Sequence, residues 1–108
     1  MIKTLSDLER TENGYLCNPN DWDIAIAIAL AKLDGIELSD DHFQCLNVLR
    51  DFYVQYQRSP ATRIYIKQLK QVMGETRGNS LYFLSLFPKG LGQAAKIAGI
   101  PKPSQCLD

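Results

Sequence analysis

A chain of 108 residues, 45 % of them apolar, has the size and composition of one domain with its own core, needing neither metal nor disulfides to hold it. No stretch of eighteen apolar residues occurs, which excludes a spanning helix. The start "MIKTLSDLERTENG" lacks the basic head and apolar centre of a secretion signal, so the expected compartment is the cytoplasm. The zero net charge hides an asymmetry: residues 1–57 carry ten acids and four bases, residues 58–108 eight bases and two acids. That pattern suits either two mutually attracting halves of one fold or a basic face for RNA or an acidic protein.

In chain order, residues 1–20 contain Asn13-Gly14. This pair favours a tight turn because both residues tolerate positive φ, and it predicts a small N-terminal β-hairpin. "NPNDWDIAIAIALAKLDG" alternates Ile and Ala like a strand, yet alanine is the best helix former. Asn20 or Asp21 is expected to cap a helix here, with Asp23 in its first turn and Gly35 ending it. Ile24 and Ile28 would share one side and Ile26, Leu30 and Leu33 another, so burial around much of the circumference is expected.

"LSDDHFQCLNVLRDFYVQYQ" predicts a four-turn amphipathic helix capped by Ser39. Its apolar face would be Phe43, Leu46, Leu49, Tyr53 and Tyr56, with Cys45 buried and His42 exposed. "RSPATRIYIKQLKQVMG" predicts a third helix capped by Ser59 and stopped by Gly74. Ile64, Leu69, Val72 and Met73 would face inward, and Arg63, Lys67 and Lys70 outward. "NSLYFLSLF" reads as a short core helix capped by Asn79 or Ser80, and "KGLGQAAKIAG" as a fifth helix stopped by Gly99. Pro101 and Pro103 prevent further helix, so residues 100–108 form an extended, mobile tail that adds little to the core. The expected architecture is one mainly α domain over 1–108: a small helical bundle with a helix-turn-helix-like element at 61–87 and a hairpin region at 1–20.

Chemistry-bearing residues are few. Cys17, Cys45 and Cys106 are an odd set without a C-x-x-C pair, and His42 is the only histidine. Neither a zinc site nor a Cys-His catalytic pair is expected from such a set. Cys106 follows the Pro-Lys-Pro stretch. A thiol on a tail can serve as a carrier, because it needs only a thiolate, exposure and reach. A free thiol titrates near 8.5, which leaves about a few per cent of thiolate at neutral pH. Pro101 to Cys106 spans at most about 20 Å. From the residues alone, Cys106 is equally an incidental surface cysteine.

The ordered blocks "NGYL" before "DW", "RDFYVQYQRSPATR", "GNSLYFLSLFPKG" and "AAKIAGIPKP" with a near-terminal cysteine resemble the DsrC/TusE family of sulfur-relay proteins over nearly the whole chain. The family's two-cysteine members carry a second thiol eleven residues before the near-terminal one. Here that position is Ala95, so the resemblance is to the single-cysteine TusE branch. It implies a helical bundle and a persulfide carried on Cys106, with no metal or organic cofactor. It also implies a TusBCD-like donor complex and an MnmA-like enzyme that thiolates the wobble uridine of tRNA. The family cysteine is usually penultimate, whereas Leu107 and Asp108 both follow it here. The added carboxylate disfavours the thiolate.

The basic half supplies the expected docking face: Arg63, Lys67, Lys89, Lys96 and Lys102, facing acidic partner surfaces or the phosphates of tRNA held by the acceptor. Two rivals stand beside this reading. A DsrC-like partner of a sulfite reductase would need the thiol that Ala95 lacks. A helix-turn-helix nucleic-acid binder would need base-reading side chains, which "SLYFLSLF" does not offer.

Overall fold

The structure, a computed structural model, describes residues 8–103. Five helices follow in chain order: α1 (Ile24–Leu33), α2 (Asp40–Tyr56), α3 (Thr62–Met73), α4 (Ser80–Leu86) and α5 (Leu91–Ile97). α2 packs against α3, α4 and α5, and α1 covers α5 from another side. The mainly helical reading therefore holds.

The N-terminal hairpin does not form: no strand exists among the described residues. A single antiparallel bridge joins Arg10 to Leu16 around the turn at Gly14. The ladder stops because this segment packs as a loop. Thr11 Oγ1 accepts from the Tyr15 N–H at 3.1 Å. Tyr15 and its neighbour Leu16 are both buried, whereas alternate residues of a strand point to opposite faces.

Local signals set most helix ends. Asp23, rather than Asn20 or Asp21, caps α1: its carboxylate accepts from the Ile26 N–H at 2.8 Å. Asp21 belongs instead to a 3-10 turn, Pro19–Asp21, capped by Asn18. Gly35 takes φ +73°, which lets the Ile36 N–H turn back to Ala31 O. Burial of α1 is one-sided. Ile26, Ala27, Leu30 and Ala31 face the core, while Ile24, Ile28 and Leu33 are exposed.

Ser39 caps α2 as expected. His42 is buried rather than exposed. Its Nδ1 accepts from the Ser39 N–H at 3.1 Å, so Nε2 holds the proton and donates to Leu86 O at 3.0 Å. This histidine ties the start of α2 to the end of α4. The inward face of α2 is Cys45, Leu46, Val48, Leu49 and Phe52. Phe43 and Tyr53 are half-buried, and Tyr56 is exposed.

No side chain caps α3. Ser59 is turned away and donates its hydroxyl proton to Pro101 O. The inward ridge of α3 is Tyr65, Leu69 and Met73, four residues apart, leaving Ile64 and Val72 exposed. Tyr65 is fully buried, and its hydroxyl donates to Cys45 O at 2.9 Å. The turn from α3 to α4 requires Gly78, where a Cβ would lie 2.4 Å from Lys70 Cα. Asn79 caps α4 through the Tyr82 N–H. α4 is not a core helix throughout: Phe83 is buried, but Leu81 and Leu84 are exposed.

α5 is buried along nearly its whole length. Gly99 ends it as expected, and the Ile100 N–H returns to Ala95 O. Ile100 is fully buried and Pro103 is buried. The chain just beyond Gly99 therefore does add to the core, contrary to expectation. No described helix is long and apolar enough to cross a membrane.

Candidate functional site

Cys106 lies outside the described residues, so the site is built here from what surrounds the base of its tail. Lys89, Gln93 and Lys96 are spaced four and three residues apart, which puts them on one side of α5 and its approach. They line a cleft of about 510 Å³ together with Tyr15, Asp34 and Lys102.

Gln93 organises the floor of this cleft. It is buried; its Oε1 accepts from the Lys89 N–H at 3.1 Å, and its Nε2 donates to Asp34 Oδ2 at 3.1 Å. A buried amide satisfied on both sides holds its neighbours in register. The Tyr15 hydroxyl donates to Gly92 O at 2.9 Å, and Lys96 Nζ lies 5.7 Å from the Tyr15 ring centroid. Three lysines and one aspartate thus line the cleft, and the aspartate's carboxylate already accepts from an amide. The lining of the cleft carries more basic than acidic side chains.

Of the five basic residues expected to form one docking face, the structure gathers Lys89, Lys96 and Lys102. Arg63 lines a separate depression at the start of α3, beside Ala61 and Ile64. Lys67 is exposed further along that helix.

The base of the tail is tied down beside the cleft. Trp22 Nε1 donates to Ile97 O at 2.8 Å. Arg50 Nη1 donates to Ala98 O at 2.8 Å, and Nη2 to Pro19 O at 3.1 Å. The guanidinium carbon sits 4.3 Å from the Trp22 ring centroid, within cation–π range. Burial pulls the Arg50 pKa below its ordinary value. A Cβ on Gly99 would lie 2.5 Å from Trp22 Cδ1. Trp22, Arg50, Tyr15, Asp34 and Gln93 had no site role in the sequence reading. The chain's single tryptophan and the spacing of Gln93 between two lysines were the available signals.

The other two thiols differ. Cys17 is exposed and Cys45 buried. Burial is the main cause that pushes the Cys45 thiol up to about 11, which leaves it unreactive. Among the described residues, no group of three or more His, Cys, Asp or Glu is placed to hold a metal ion.

Comparison with known proteins gives a consistent answer. The family profile described as "DsrC like protein" matches residues 4–107. The sulfurtransferase TusE of Photorhabdus laumondii is 45 % identical over 102 residues, covering 94 % of this chain and 92 % of that protein. The TusE of Buchnera aphidicola is 42 % identical over 108 residues, covering 99 % and 95 %. Among solved structures, DsrC of Allochromatium vinosum superposes with a TM-score of 0.83 at 42 % identity, covering 93 % of this chain and 90 % of that one. The oxidised DsrC of Archaeoglobus fulgidus, a γ-subunit of dissimilatory sulfite reductase, gives 0.81 at 35 % identity, covering 93 % and 92 %. Matched in sequence and in fold along nearly its whole length, the chain belongs to the DsrC-like family.

Proposed function

We propose that this protein is a sulfur carrier of the TusE kind, working in the relay that thiolates the wobble uridine of tRNA. The observation that carries the reading is the single tail thiol. Cys106 lies within the residues matched by the family profile, and the position eleven residues earlier is Ala95. The Cys106 thiolate attacks the terminal sulfur of a donor persulfide. A new S–S bond forms on Cys106, the donor's S–S bond breaks, and the donor leaves as a thiolate. No net oxidation occurs, and no cofactor is needed. An acceptor reverses the exchange by taking the same terminal sulfur.

The donor would be a TusBCD-like complex and the acceptor an MnmA-like thiolase, with tRNA held by the acceptor; the setting would be cytoplasmic. The cleft of Lys89, Lys96 and Lys102 would receive acidic groups of these partners. Arg63 and Lys67 would contribute from a second patch. A sulfite-reductase role of the two-thiol type is less well supported, because Ala95 offers a buried methyl group where that chemistry needs sulfur. A base-reading role is less well supported because α4 exposes Leu81 and Leu84.

The test is mass spectrometry after incubation with a cysteine desulfurase and the donor complex. A mass gain of one sulfur on Cys106, removed by reductant, is the expected result. Cys106→Ser should gain none and remain folded by circular dichroism, while Cys17→Ser and Cys45→Ser keep the gain. Sulfur still carried by Cys106→Ser would overturn the assignment.

A further inference from the structure

We propose that Trp22, Arg50 and Ser59 are positioning residues for sulfur delivery, acting as a clamp that fixes where and in which direction the tail leaves the fold. The inference rests on the reading of Cys106 as the carrier.

The last carbonyls of a helix have no partner within it. At the end of α5 two of them, Ile97 O and Ala98 O, are taken by side chains from elsewhere: Trp22 ahead of α1 and Arg50 from α2. One step further, the carbonyl of the exposed Pro101 accepts from Ser59, ahead of α3. Three separate segments thus converge on residues 97–101. Each holds a backbone carbonyl, so the clamp grips the path of the chain rather than any one side chain. Arg50 also holds Pro19 O and stacks on Trp22, which locks the two clamp residues to each other. Gly99 lies so close under Trp22 that any side chain there would collide with the indole.

The consequence is a matter of reach. The last position the clamp holds is Pro101, and Cys106 stands five residues past it, so the chain carries it at most roughly 17 Å from that point. If the chain were freed from Gly99 onward, seven residues would allow roughly 24 Å. The same thiol would then sample about threefold more volume, and its effective concentration at a partner's active site would fall in proportion.

The experiment compares two rates in a Cys17→Ser, Cys45→Ser background. One is the reaction of Cys106 with a small aromatic disulfide; the other is sulfur acceptance from the persulfidated donor complex. Arg50→Gln and Trp22→Phe should slow acceptance from the donor about threefold, with the small-reagent rate unchanged. Arg50→Lys should recover part of the loss, since an ammonium can still reach one carbonyl. Ser59→Ala removes only the Pro101 contact, keeps the fold, and should slow acceptance less. Donor rates equal to wild type in the folded variants would overturn the clamp. So would donor and small-reagent rates that fall together. Should Arg50→Gln not fold, a wild-type rate in Ser59→Ala together with Trp22→Phe overturns it. A wild-type protein that reacts with the small disulfide yet takes no sulfur from the donor would instead sink the carrier reading itself.

Discussion

α1 and α5 are both short helices rich in alanine, and they lie against each other. α1 turns Ile26, Ala27, Leu30 and Ala31 inward and leaves Ile24 at 60 % and Ile28 at 51 % exposure. α5 hides Leu91, Gly92, Gln93, Ala94, Ala95 and Ile97. The more apolar helix is the less buried one. What decides burial is the number of neighbours: α5 is covered by α1 and by α2, and its glycine and alanines let both approach closely. The large residues Ile24, Ile28 and Leu33 of α1 add hydrophobicity on a side left exposed among the described residues. Small residues at a crossing thus carry the fold, while large ones on an outer face do not.

The largest test of this contrast adds the same volume to each helix. Ala95→Leu in α5 should destabilise the fold by about 1–3 kcal/mol, because three extra carbons enter a filled space. Ala25→Leu on the exposed side of α1 should stay within about 0.5 kcal/mol of wild type. Urea unfolding of the two variants checks this. Equal midpoints would mean that α5 has slack its full burial does not suggest.

The same contrast of inside and outside extends to the thiols. Alkylation at pH 8 should modify Cys17 readily and reach Cys45 only on unfolding. Cys45 ordinarily titrates at 9.0 and is raised to about 11 in the fold, mainly by burial. The folded state therefore holds this proton more tightly than the unfolded chain. The resulting stability is complete below pH 9.0 and is lost as pH rises from there to about 11. Unfolding curves between those limits should fall less steeply for Cys45→Ala than for wild type. Tyr65 is raised above its ordinary 10.0, first by burial, and adds its own loss of stability from pH 10.0 upward, so the Cys45 contribution is read between pH 9.0 and 10.0. Parallel curves would mean that the Cys45 thiol ionises in the fold as easily as outside it.

The helix stops and two of the four N-terminal caps were legible in the sequence because they depend on neighbours three to five residues away. Ser39, Asn79, Gly35, Gly74 and Gly99 all act as their spacing implied. The misread residues are those whose partners are distant. Ser59 looked like a cap, but its acceptor is 42 residues on. His42 looked exposed, but its acceptor is 44 residues on. Tyr65 displaced Ile64 and Val72 from the core because its hydroxyl finds Cys45 O, 20 residues back. The N-terminal turn was seen, but its strands yielded to the packing of Tyr15 and Leu16. The site divides in the same way. Charge alone picked out Lys89, Lys96 and Lys102 but could not separate them from Arg63 and Lys67. The cleft floor and the tail clamp were invisible, since Gln93 meets Asp34 across 59 residues and Trp22 meets Ile97 O across 75.

The smallest expected effect compares the charges that α1 and α5 present. Lys89 and Lys96 border the cleft beside the tail, whereas Lys32 borders an apolar depression at the end of α1, next to Ile28, Ile36 and Leu38. Exposed charges act chiefly on the rate of encounter, and salt weakens them as the screening length shortens to about 8 Å at physiological ionic strength. The double variant Lys89→Glu, Lys96→Glu should therefore slow association with the donor complex at low salt, and the deficit should shrink as salt is added. Lys32 is exposed, as Lys89 is, but does not line the cleft. Lys32→Glu should change the rate by less per unit of charge reversed at every salt concentration. Stopped-flow association measured across a salt series separates the two. Slowing in proportion to the charge reversed, four units for the double variant against two for Lys32→Glu, would mean that partners sense only the protein's net charge. An effect confined to the cleft lysines would mean that they meet the partner locally, beside the point where the tail carrying Cys106 begins.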